Sequence, residues 1–387
     1  MTVLDELADW HHDLRAQFPM ITGNPDVAYL DSAATTQKPH PVLDAVLTYL
    51  TTANANAARG TYPWANRTTA RIEQARDRLR RFLHDPDPER STVQFVSGAT
   101  EGLRAVARDW LLPQLRPGDE ILVPFADHNA NTLPWTEAAA LAGVTVRPIP
   151  YDTAHDYDHR RLTVGPRTRL IATTHVHHVY GGDMNVHRLR ALAPDIPICL
   201  DAAQSFGHIP IDLSALDVDF VVFSGHKAMA LPGTGAVWSR NARGPAYHPA
   251  GWVGTPNTSG IISLAAAMDW LDEADMNRIA RWNQALTLRL TEGLSKMPAY
   301  EVLGCQRSLT ADTLTQQRHG IVAFRHQEIA SNDLGFILAA EGLLLRADAH
   351  CQAPQGEKTA SVRASVHVYN TPAEIDHLLT TLAALDH

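Results

Sequence analysis

Cysteine is scarce in this chain of 387 residues, which contains only Cys199, Cys305 and Cys351. Three widely spaced cysteines form no disulfide framework, so a reducing compartment, the cytoplasm, is the simplest expectation. Basic residues are also few: the chain has 33 Lys and Arg against 42 Asp and Glu, which gives a formal net charge of −9. Phosphate contacts need clustered Lys and Arg, and this charge balance therefore argues against a nucleic-acid-binding protein.

Long apolar runs and targeting signals are lacking as well. No stretch approaches the length of a membrane span. The N-terminal residues, with Asp5, Glu6 and Asp9, have neither the basic region nor the apolar core of a signal peptide. There is no internal repeat. A chain of this length with 45% hydrophobic residues is long enough for a large core and about two domains.

A lysine follows the strongest strand signal in the chain. The apolar run at 219–223 is rich in β-branched and aromatic residues, which predicts a buried strand that ends at Ser224-Gly225-His226-Lys227. Gly225 allows a sharp turn and places Lys227 at the mouth of the strand. Taken alone, this stretch has two interpretations: a hairpin with a surface lysine, or a lysine that forms a Schiff base.

An acidic residue ends the preceding predicted strand, Ile198-Cys199-Leu200, and supports the second interpretation. Asp201 stands at its carboxyl end, which is where open α/β sheets place their ligand sites. An enzyme that uses pyridoxal 5'-phosphate (PLP) needs this pair. The lysine holds the aldehyde, and the acid keeps the pyridine nitrogen protonated.

A small-residue turn follows the predicted strand Val93-Gln94-Phe95-Val96. Residues 97–102 lead into a predicted helix, and the free amides and positive dipole end of a helix N-terminus attract phosphate. Thr100 could instead only cap the helix. With Lys227 and Asp201 in the same chain, we expect this turn to bind the phosphate group of PLP.

Histidines follow two further predicted strands. His128 comes after Ile121-Leu122-Val123-Pro124, and a histidine at the carboxyl end of such a strand is a candidate for chemistry. His175, His177 and His178 come after another strand and raise a metal hypothesis. No cysteine or carboxylate lies beside them at a metal-ligand spacing, so we expect no metal site.

These motifs, spread from about Tyr29 to the C-terminus, resemble the cysteine desulfurase and selenocysteine lyase family, within the class V group of the aminotransferase fold. The resemblance implies the PLP-dependent transferase fold type I. Its large doubly wound mixed-sheet domain would span 26–262, and a smaller α/β domain would combine 1–25 and 263–387. The implied cofactor-binding residues are Ala99, Thr100, His128, Asp201, Gln204, Ser224, His226 and Lys227.

The C-terminal region carries two more matches to the family. The segment 345–354 resembles the loop Arg-Thr-Gly-His-His-Cys-Ala-x-Pro: Arg346, His350, Cys351 and Pro354 match, whereas 347–349 departs as Ala-Asp-Ala. The segment Ser361-Val362-Arg363-Ala364-Ser365 resembles the strand whose arginine binds the substrate carboxylate, a task that suits a guanidinium fork. Read without the resemblance, Cys351 would be an inert small hydrophobe, and Arg363 would form a surface ion pair.

Other positions are implied by the resemblance or depart from it. Ala33, His178, Arg346 and Arg363 are the implied substrate-binding residues, although His178 stands where the family has Asn. Ala58 stands where the family commonly has His, and 239–253 is much shorter than the family's hairpin insertion. Thr255 would reach the phosphate of the partner subunit, which implies a homodimer.

The implied reaction is removal of sulfur from L-cysteine as a Cys351 persulfide, with release of L-alanine. His128, Asp201, Lys227 and Cys351 would carry the chemistry, and an acceptor protein would collect the sulfur. A PLP-dependent C–S lyase or amino-acid epimerase, favoured by the departures just described, remains an alternative. So do a selenocysteine lyase and a non-catalytic sulfur-transfer partner or scaffold.

Overall fold

A seven-stranded mixed sheet forms the centre of the molecule. The computed structural model describes residues 2–152, 155–251, 254–304, 318–352 and 360–386. The sheet consists of β2 (Thr92–Val96), β3 (Glu120–Val123), β4 (Thr145–Pro148), β5 (Thr168–Thr174), β6 (Ile198–Asp201), β7 (Phe220–Ser224) and β8 (Gly235–Ser239). The spatial order is β2-β8-β7-β6-β5-β3-β4, and β8 alone runs antiparallel to its neighbours. The predicted large mixed α/β sheet is therefore confirmed.

Both faces of this sheet are buried, which explains why its strands are continuous apolar runs. In β7, Val221 and Phe223 belong to one apolar cluster, whereas Phe220 and Val222 belong to the cluster on the opposite face. Cys199 in β6 is fully buried in the second cluster and is a core residue, as predicted. The helices of this part are α4 (His40–Thr52), α5 (Pro63–Phe82), α6 (Ala99–Ala105), α7 (Leu133–Ala142), α8 (Val186–Leu192), α9 (Leu213–Leu216) and α10 (Thr258–Glu273).

A second, four-stranded antiparallel sheet is built from the C-terminal part of the chain. Its order is β12-β13-β10-β9, and a short parallel pair, β1–β11, joins the N-terminal region to the same part of the molecule. These strands are β1 (Ala28–Tyr29), β9 (Tyr300–Val302), β10 (Ile321–His326), β11 (Leu343–Leu344), β12 (Arg346–Asp348) and β13 (Ser361–Ser365). They share an apolar cluster with α11 (Met276–Leu294), α12 (Ser331–Ala340) and α13 (Pro372–Ala383).

Helical spacing of apolar residues predicts an amphipathic helix over residues 1–20 and a second helix from Ile72 to Phe82, and both differ in the structure. The N-terminal segment is broken at Leu7 into α1 (Val3–Glu6) and α2 (Ala8–Arg15), and a short α3 (Pro19–Thr22) follows. Helix α5 begins nine residues before the first predicted apolar position, Ile72. Its first two turns bury Ala65 and Thr68, and such small residues contribute little to an apolar pattern read from sequence.

The sequence Thr371-Pro372-Ala373-Glu374 is a capping box that predicts the start of the final helix, and the helix begins there. The Thr371 side chain accepts a hydrogen bond from the Glu374 amide, the Glu374 carboxylate accepts one from the Thr371 amide, and Pro372 occupies the first helical position. None of the helices in the described ranges combines the length and apolar composition that crossing a bilayer requires. Cys305, Pro354 and residues 252–253 of the short loop lie outside the described residues.

The topology determines where a site can form. The parallel strands β3, β5, β6 and β7 all end at the same edge of the large sheet. The strand order reverses between β3 and β5, because β4 lies beyond β3 at the outer edge. Ligands bind in the crevice at such a reversal, and the residues that follow these strands are the predicted site residues.

The separate core of the C-terminal part provides a stability test. Leu290 in α11 is 1% exposed, whereas Leu141 in α7 is 77% exposed. We expect Leu290→Ala to lower the free energy of unfolding by about 2–5 kcal/mol, because it removes buried methyl groups and leaves a cavity. Leu141→Ala should change it by less than about 0.5 kcal/mol. Urea unfolding of both variants measures this, and equal midpoints would contradict the assigned core.

Candidate active site

A cavity of about 260 Å³ lies at the carboxyl ends of the central strands. It is lined by residues from both sheets and from the turn after β1. Among the predicted site residues it collects Ala33, Ala99, Thr100, His128, His178, Asp201, Gln204, Ser224, His226, Lys227, Arg346 and Arg363. Cys351 and Thr255 are the two predicted site residues outside this lining.

Lys227 lies at the bottom of the cavity. A 3₁₀ turn, Gly225–Lys227, continues directly from β7 and delivers the lysine into the protein interior, with its carbonyl held by the His208 ring at 2.9 Å. Burial lowers the pKa of Lys227 to about 8, although the neighbouring Asp201 carboxylate acts in the opposite direction. Roughly a tenth of this amine is therefore neutral at pH 7, far more than for an ordinary lysine, which suits a nucleophile or a general base.

Asp201 ends β6, beside the strand that carries Lys227. Its carboxylate accepts a hydrogen bond from the Ala203 amide at 2.9 Å. Burial raises the pKa of Asp201, whereas the Ala203 amide and the Lys227 charge lower it. A buried carboxylate is stabilised by a cationic partner, and the protonated ring nitrogen of a cofactor would be a second one.

Gln204 lies one turn beyond Asp201. Its side-chain amide donates to the Ala33 carbonyl at 3.0 Å, while its Oε1 atom is buried without a hydrogen-bond partner among the described residues. Buried polar atoms in folded proteins are nearly always paired. A polar ligand in the cavity would supply the missing donor.

The predicted anion-binding turn has a closely packed geometry. The Ala99 amide, at the start of α6, donates to the Ser224 hydroxyl at 2.8 Å and links the turn to the end of β7. A Cβ atom at Gly235 would lie 2.3 Å from the Phe223 carbonyl oxygen and 2.9 Å from the Gly98 Cα, so only glycine fits there. This contact brings the turn, Ser224 and His226 to one end of the cavity.

His128 follows β3 at the same edge of the sheet. Burial, followed by the charge of Lys227, lowers the pKa of His128 to about 4. Its Nδ1 atom accepts a hydrogen bond from the Ala130 amide at 3.1 Å, and its ring packs edge-on against His178 at 5.2 Å. A neutral imidazole in this position can stack on an aromatic ligand and accept or donate a proton.

The three histidines after β5 have different surroundings. His177 is held by the Ala126 carbonyl at 3.3 Å and by the Val179 and Tyr180 amides, so its ring anchors the loop. His178 Nε2 is buried without a partner among the described residues and faces the cavity. Across the described ranges, no three His, Cys, Asp or Glu side chains are arranged to hold a metal ion.

Arg363, on β13, enters the cavity from the second sheet. One of its terminal nitrogens donates to the His178 carbonyl at 2.9 Å and the other pairs with Asp31 at 3.1 Å. Its Nε atom is buried without a partner among the described residues. Burial lowers the pKa of Arg363, opposed by Asp31. The alternative of a surface ion pair is wrong, because the Arg363 side chain is buried and its partner Asp31 is half-buried.

The Cys351 loop lies beside the cavity and contributes Arg346 and His350 to its lining. Cys351 is exposed, and Arg346 Nη2 lies 3.1 Å from its sulfur. The loop is tied to the His128 segment by the Asn129 amide, which donates to the Cys351 carbonyl at 3.2 Å. An exposed thiol beside a guanidinium is a reactive setting rather than an inert one. The interpretation of Cys351 as a buried hydrophobe is therefore wrong.

Two positions where the chain departs from the family, Ala58 and the short loop, lie outside the cavity lining, and so does Thr255, which matches the family. Ala58 is exposed with a φ of 61°, in the loop before α5. The described part of the short loop includes Tyr247, which packs against Phe220 in the core of the large sheet. Thr255 is exposed and lines a separate groove with Arg76.

Sequence reasoning missed two acidic residues of the site. Asp31, at the end of β1, pairs with Arg363. Asp127 is buried and accepts hydrogen bonds from Tyr151 at 2.9 Å and Tyr157 at 3.3 Å, and burial raises its pKa to about 8. Both residues follow predicted strands, and that position is the feature of the sequence that could have identified them as site residues. Their partners come from distant parts of the chain and could not be identified by spacing.

The comparison with family models shows the class of protein. Residues 28–378 match the model described as aminotransferase class-V. The fold and the cavity described above are therefore those of a class V aminotransferase, a family whose members depend on PLP.

Within this class, the chain belongs to the cysteine desulfurase family. It is 32% identical to the cysteine desulfurase CsdA of Escherichia coli, covering 95% of this chain and 96% of that one, and 32% identical to a probable cysteine desulfurase of Vibrio cholerae over the same shares. Among solved structures, the cysteine desulfurase of Thermococcus onnurineus superposes with a TM-score of 0.86 at 27% identity and 97% coverage of both chains. CsdA superposes with a TM-score of 0.83 at 31% identity, covering 97% of this chain and 98% of that one.

The buried histidines predict a pH dependence of stability. Burial lowers the pKa of His177 from its ordinary 6.5 to about 3. Between these values the unfolded chain binds a proton at His177 and the folded chain does not. The free energy of unfolding should therefore fall as the pH decreases, by about 1.4 kcal/mol per pH unit for this group.

His177→Gln should flatten this decrease by about 2 kcal/mol between about pH 7 and about pH 5. His187→Gln, at an exposed position in α8, is the control and should leave the decrease unchanged. Urea unfolding at both pH values measures the slope. A His177→Gln slope equal to that of the wild type would contradict a neutral, buried His177.

Proposed function

We propose that the protein is a PLP-dependent cysteine desulfurase that takes sulfur from L-cysteine as a persulfide on Cys351 and releases L-alanine. The observation that carries the proposal is the position of Cys351. This exposed thiol lies 3.1 Å from Arg346, which lines the cavity together with Lys227 and Asp201. A nucleophile beside the cavity, with an amine and an acid in its lining, is what sulfur transfer from an amino acid requires.

The cavity fits the cofactor that the family implies. Lys227 would hold its aldehyde and Asp201 its ring nitrogen. The unpaired Gln204 Oε1 atom faces the space for its ring substituents. Its phosphate would be held at the turn, by Ala99, Thr100, Ser224 and His226. When bound, PLP supplies an electron sink that weakens the bonds at the substrate α-carbon.

The protein side chains perform the proton transfers and the orientation. The Lys227 amine, with its pKa lowered to about 8 by burial, removes the proton from the substrate α-carbon. The Asp201 charge would keep the ring nitrogen of the cofactor protonated. His128, neutral because burial lowers its pKa, would hold the ring and could accept or donate a proton at the cavity wall.

The substrate carboxylate would be bound by Arg363, whose Nε atom lacks a partner among the described residues. Asp31 already pairs with this guanidinium, so a substrate carboxylate shares it or displaces the aspartate. His178 Nε2 and the Ala33 backbone complete the pocket. His178 stands where the family has Asn, and its imidazole can still donate a hydrogen bond.

The sulfur transfer is a displacement at the substrate sulfur. The Cys351 thiolate attacks that sulfur, a new S–S bond forms and the bond between sulfur and the β-carbon breaks. The electron pair remains on the carbon fragment, which takes up one proton at the β-carbon, regains the α-carbon proton from Lys227 and leaves as L-alanine. The sulfur stays on Cys351 as a persulfide, at a position exposed to an acceptor protein.

Replacing Cys351 tests this proposal. A serine hydroxyl stays protonated near neutral pH, and Cys351→Ser should abolish alanine formation while the substrate still changes the visible absorbance of the holoenzyme. Cys199→Ala removes a thiol from the core and should keep alanine formation. The assay measures alanine, pyruvate and sulfide from cysteine with a reductant. Retained turnover with pyruvate in place of alanine would indicate a C–S lyase instead.

We also propose that the protein acts as a homodimer in which Thr255 contacts the phosphate of the partner subunit. Thr255 is exposed and lies outside the cavity lining of its own chain. Helix α4, which packs against α10 just after Thr255, exposes Leu43, Leu47 and Leu50 at i, i+4 and i+7. An exposed apolar stripe of this kind marks an interaction surface.

The dimer is tested by a charge in this stripe. Leu47 is 60% exposed, and Leu47→Asp should convert the dimer into a monomer and reduce activity at least about tenfold, because a buried unpaired charge opposes association. Leu141→Asp, on an exposed leucine of α7, should remain dimeric. Light scattering measures the mass. A wild-type monomer with full activity would refute the shared site.

Two further proposals concern the location of the protein in the cell and its division into domains. We propose a cytoplasmic location, because three cysteines form no disulfide framework and the sulfur chemistry needs a free thiol.

We also propose the division of the chain into a large domain (26–262) and a smaller one (1–25 and 263–387). The seven-stranded and four-stranded sheets support it, although Ala28 and Leu30 pack with the C-terminal cluster.

A further inference from the structure

Asp348 occupies the centre of a hydrogen-bond network around the Cys351 loop. Both of its carboxylate oxygens accept from Arg346: Nε lies 2.9 and 3.0 Å from them, and Nη2 lies 2.8 Å from Oδ2. The same carboxylate accepts from the His350 amide at 2.6 Å. The matching family loop has Gly here, so this chain carries a carboxylate that the motif does not require.

Arg346 connects this carboxylate to the nucleophile. Its Nη2 atom donates to Asp348 on one side and lies 3.1 Å from the Cys351 sulfur on the other. The Nε and Nη2 atoms of Arg346 make these contacts. A guanidinium held by two carboxylate oxygens has one orientation instead of many, and that orientation points an N–H group at the sulfur.

The backbone of the loop depends on the same carboxylate. His350 and Cys351 both have left-handed conformations, with φ of 52° and 57°. Residues other than glycine rarely adopt this region, and a pair in succession needs external support. The Asp348 carboxylate supplies it at the His350 amide, and the Ser361 hydroxyl holds the His350 ring at 2.8 Å.

We propose that Asp348 is a positioning residue for Cys351, which fixes Arg346 against the sulfur and holds the loop that presents the thiolate. This rests on the proposed role of Cys351 as the sulfur acceptor. The charged and titratable groups around the thiol are Arg346, Asp348, His350, His128 and Lys227. Of these, Arg346 is the group with a hydrogen bond to the sulfur.

Asp348 acts on the thiolate in two opposing ways, and geometry decides between them. Its own negative charge repels a thiolate, but the Asp348 side chain is 48% exposed, so water screens that repulsion. The Arg346 contact is direct and short. Once released from Asp348, the long Arg346 side chain would distribute over many rotamers and lose this contact most of the time. The positioning effect is therefore the larger one.

The test measures the reactivity of Cys351 independently of desulfurase turnover. The holoenzyme is treated with iodoacetamide over a range of pH, and modification of the peptide that contains Cys351 is followed by mass spectrometry. Asp348→Asn should lower the alkylation rate about three- to tenfold near neutral pH and move the pH profile upward, as a weakened charge-assisted hydrogen bond requires. Asp348→Glu, which restores a carboxylate, should recover much of the rate.

A matched control and a double variant complete the experiment. Asp376 pairs with Arg289 on the surface and is also 48% exposed, so Asp376→Asn changes charge and an ion pair without touching the loop. It should leave the rate unchanged. Arg346→Gln should slow alkylation, and adding Asp348→Asn to it should cause little further loss, because Asp348 acts through Arg346.

The outcomes separate this proposal from the proposed function. Faster alkylation of Asp348→Asn, or a profile moved to lower pH, would show that the charge of Asp348 on the thiolate dominates and would overturn the positioning role. An additive loss in the double variant would also overturn it. If the Cys351→Ser variant retained turnover, the desulfurase assignment would fail. The alkylation rates of the Asp348 variants would still decide the positioning role of Asp348.

Discussion

The burial of Lys227 beside Asp201 is the constraint on which the rest of the site depends. Two adjacent parallel strands, β6 and β7, are buried along their length, and the residues that follow them line the cavity. Burial lowers the pKa of the lysine and raises that of the aspartate, and each partly stabilises the charge of the other. A cationic ring between them would complete the charge balance, which explains why the cavity suits PLP.

The second sheet makes the other half of the site, and charge again decides its arrangement. Arg363 is buried because Asp31 and the His178 carbonyl satisfy its terminal nitrogens. This contact joins β13 to the turn after β1 and to the loop after β5, across the cavity. The C-terminal sheet thus both closes the pocket and places a fixed positive charge opposite Lys227.

The Cys351 loop lies between the buried interior and the solvent. His350 is buried and hydrogen-bonded to Ser361, whereas its neighbour Cys351 is exposed. Two successive left-handed residues make that reversal possible within one peptide unit. The Cys351 thiol is therefore accessible to solvent while its neighbour His350 lines the cavity.

Much of the site was determined by the sequence itself. Apolar runs that end in Asp201, His128 and Lys227 predicted strands, and parallel strands bring their carboxyl ends to one edge. Local patterns also predicted the capped final helix, because capping involves residues three positions apart. The tertiary structure alone decided the partners of the acidic side chains: Asp31 with Arg363, and Asp127 with Tyr151 and Tyr157. These contacts join segments far apart in the chain, and the ion pairs and hydrogen bonds of an interior depend on distance in space, which no local pattern records.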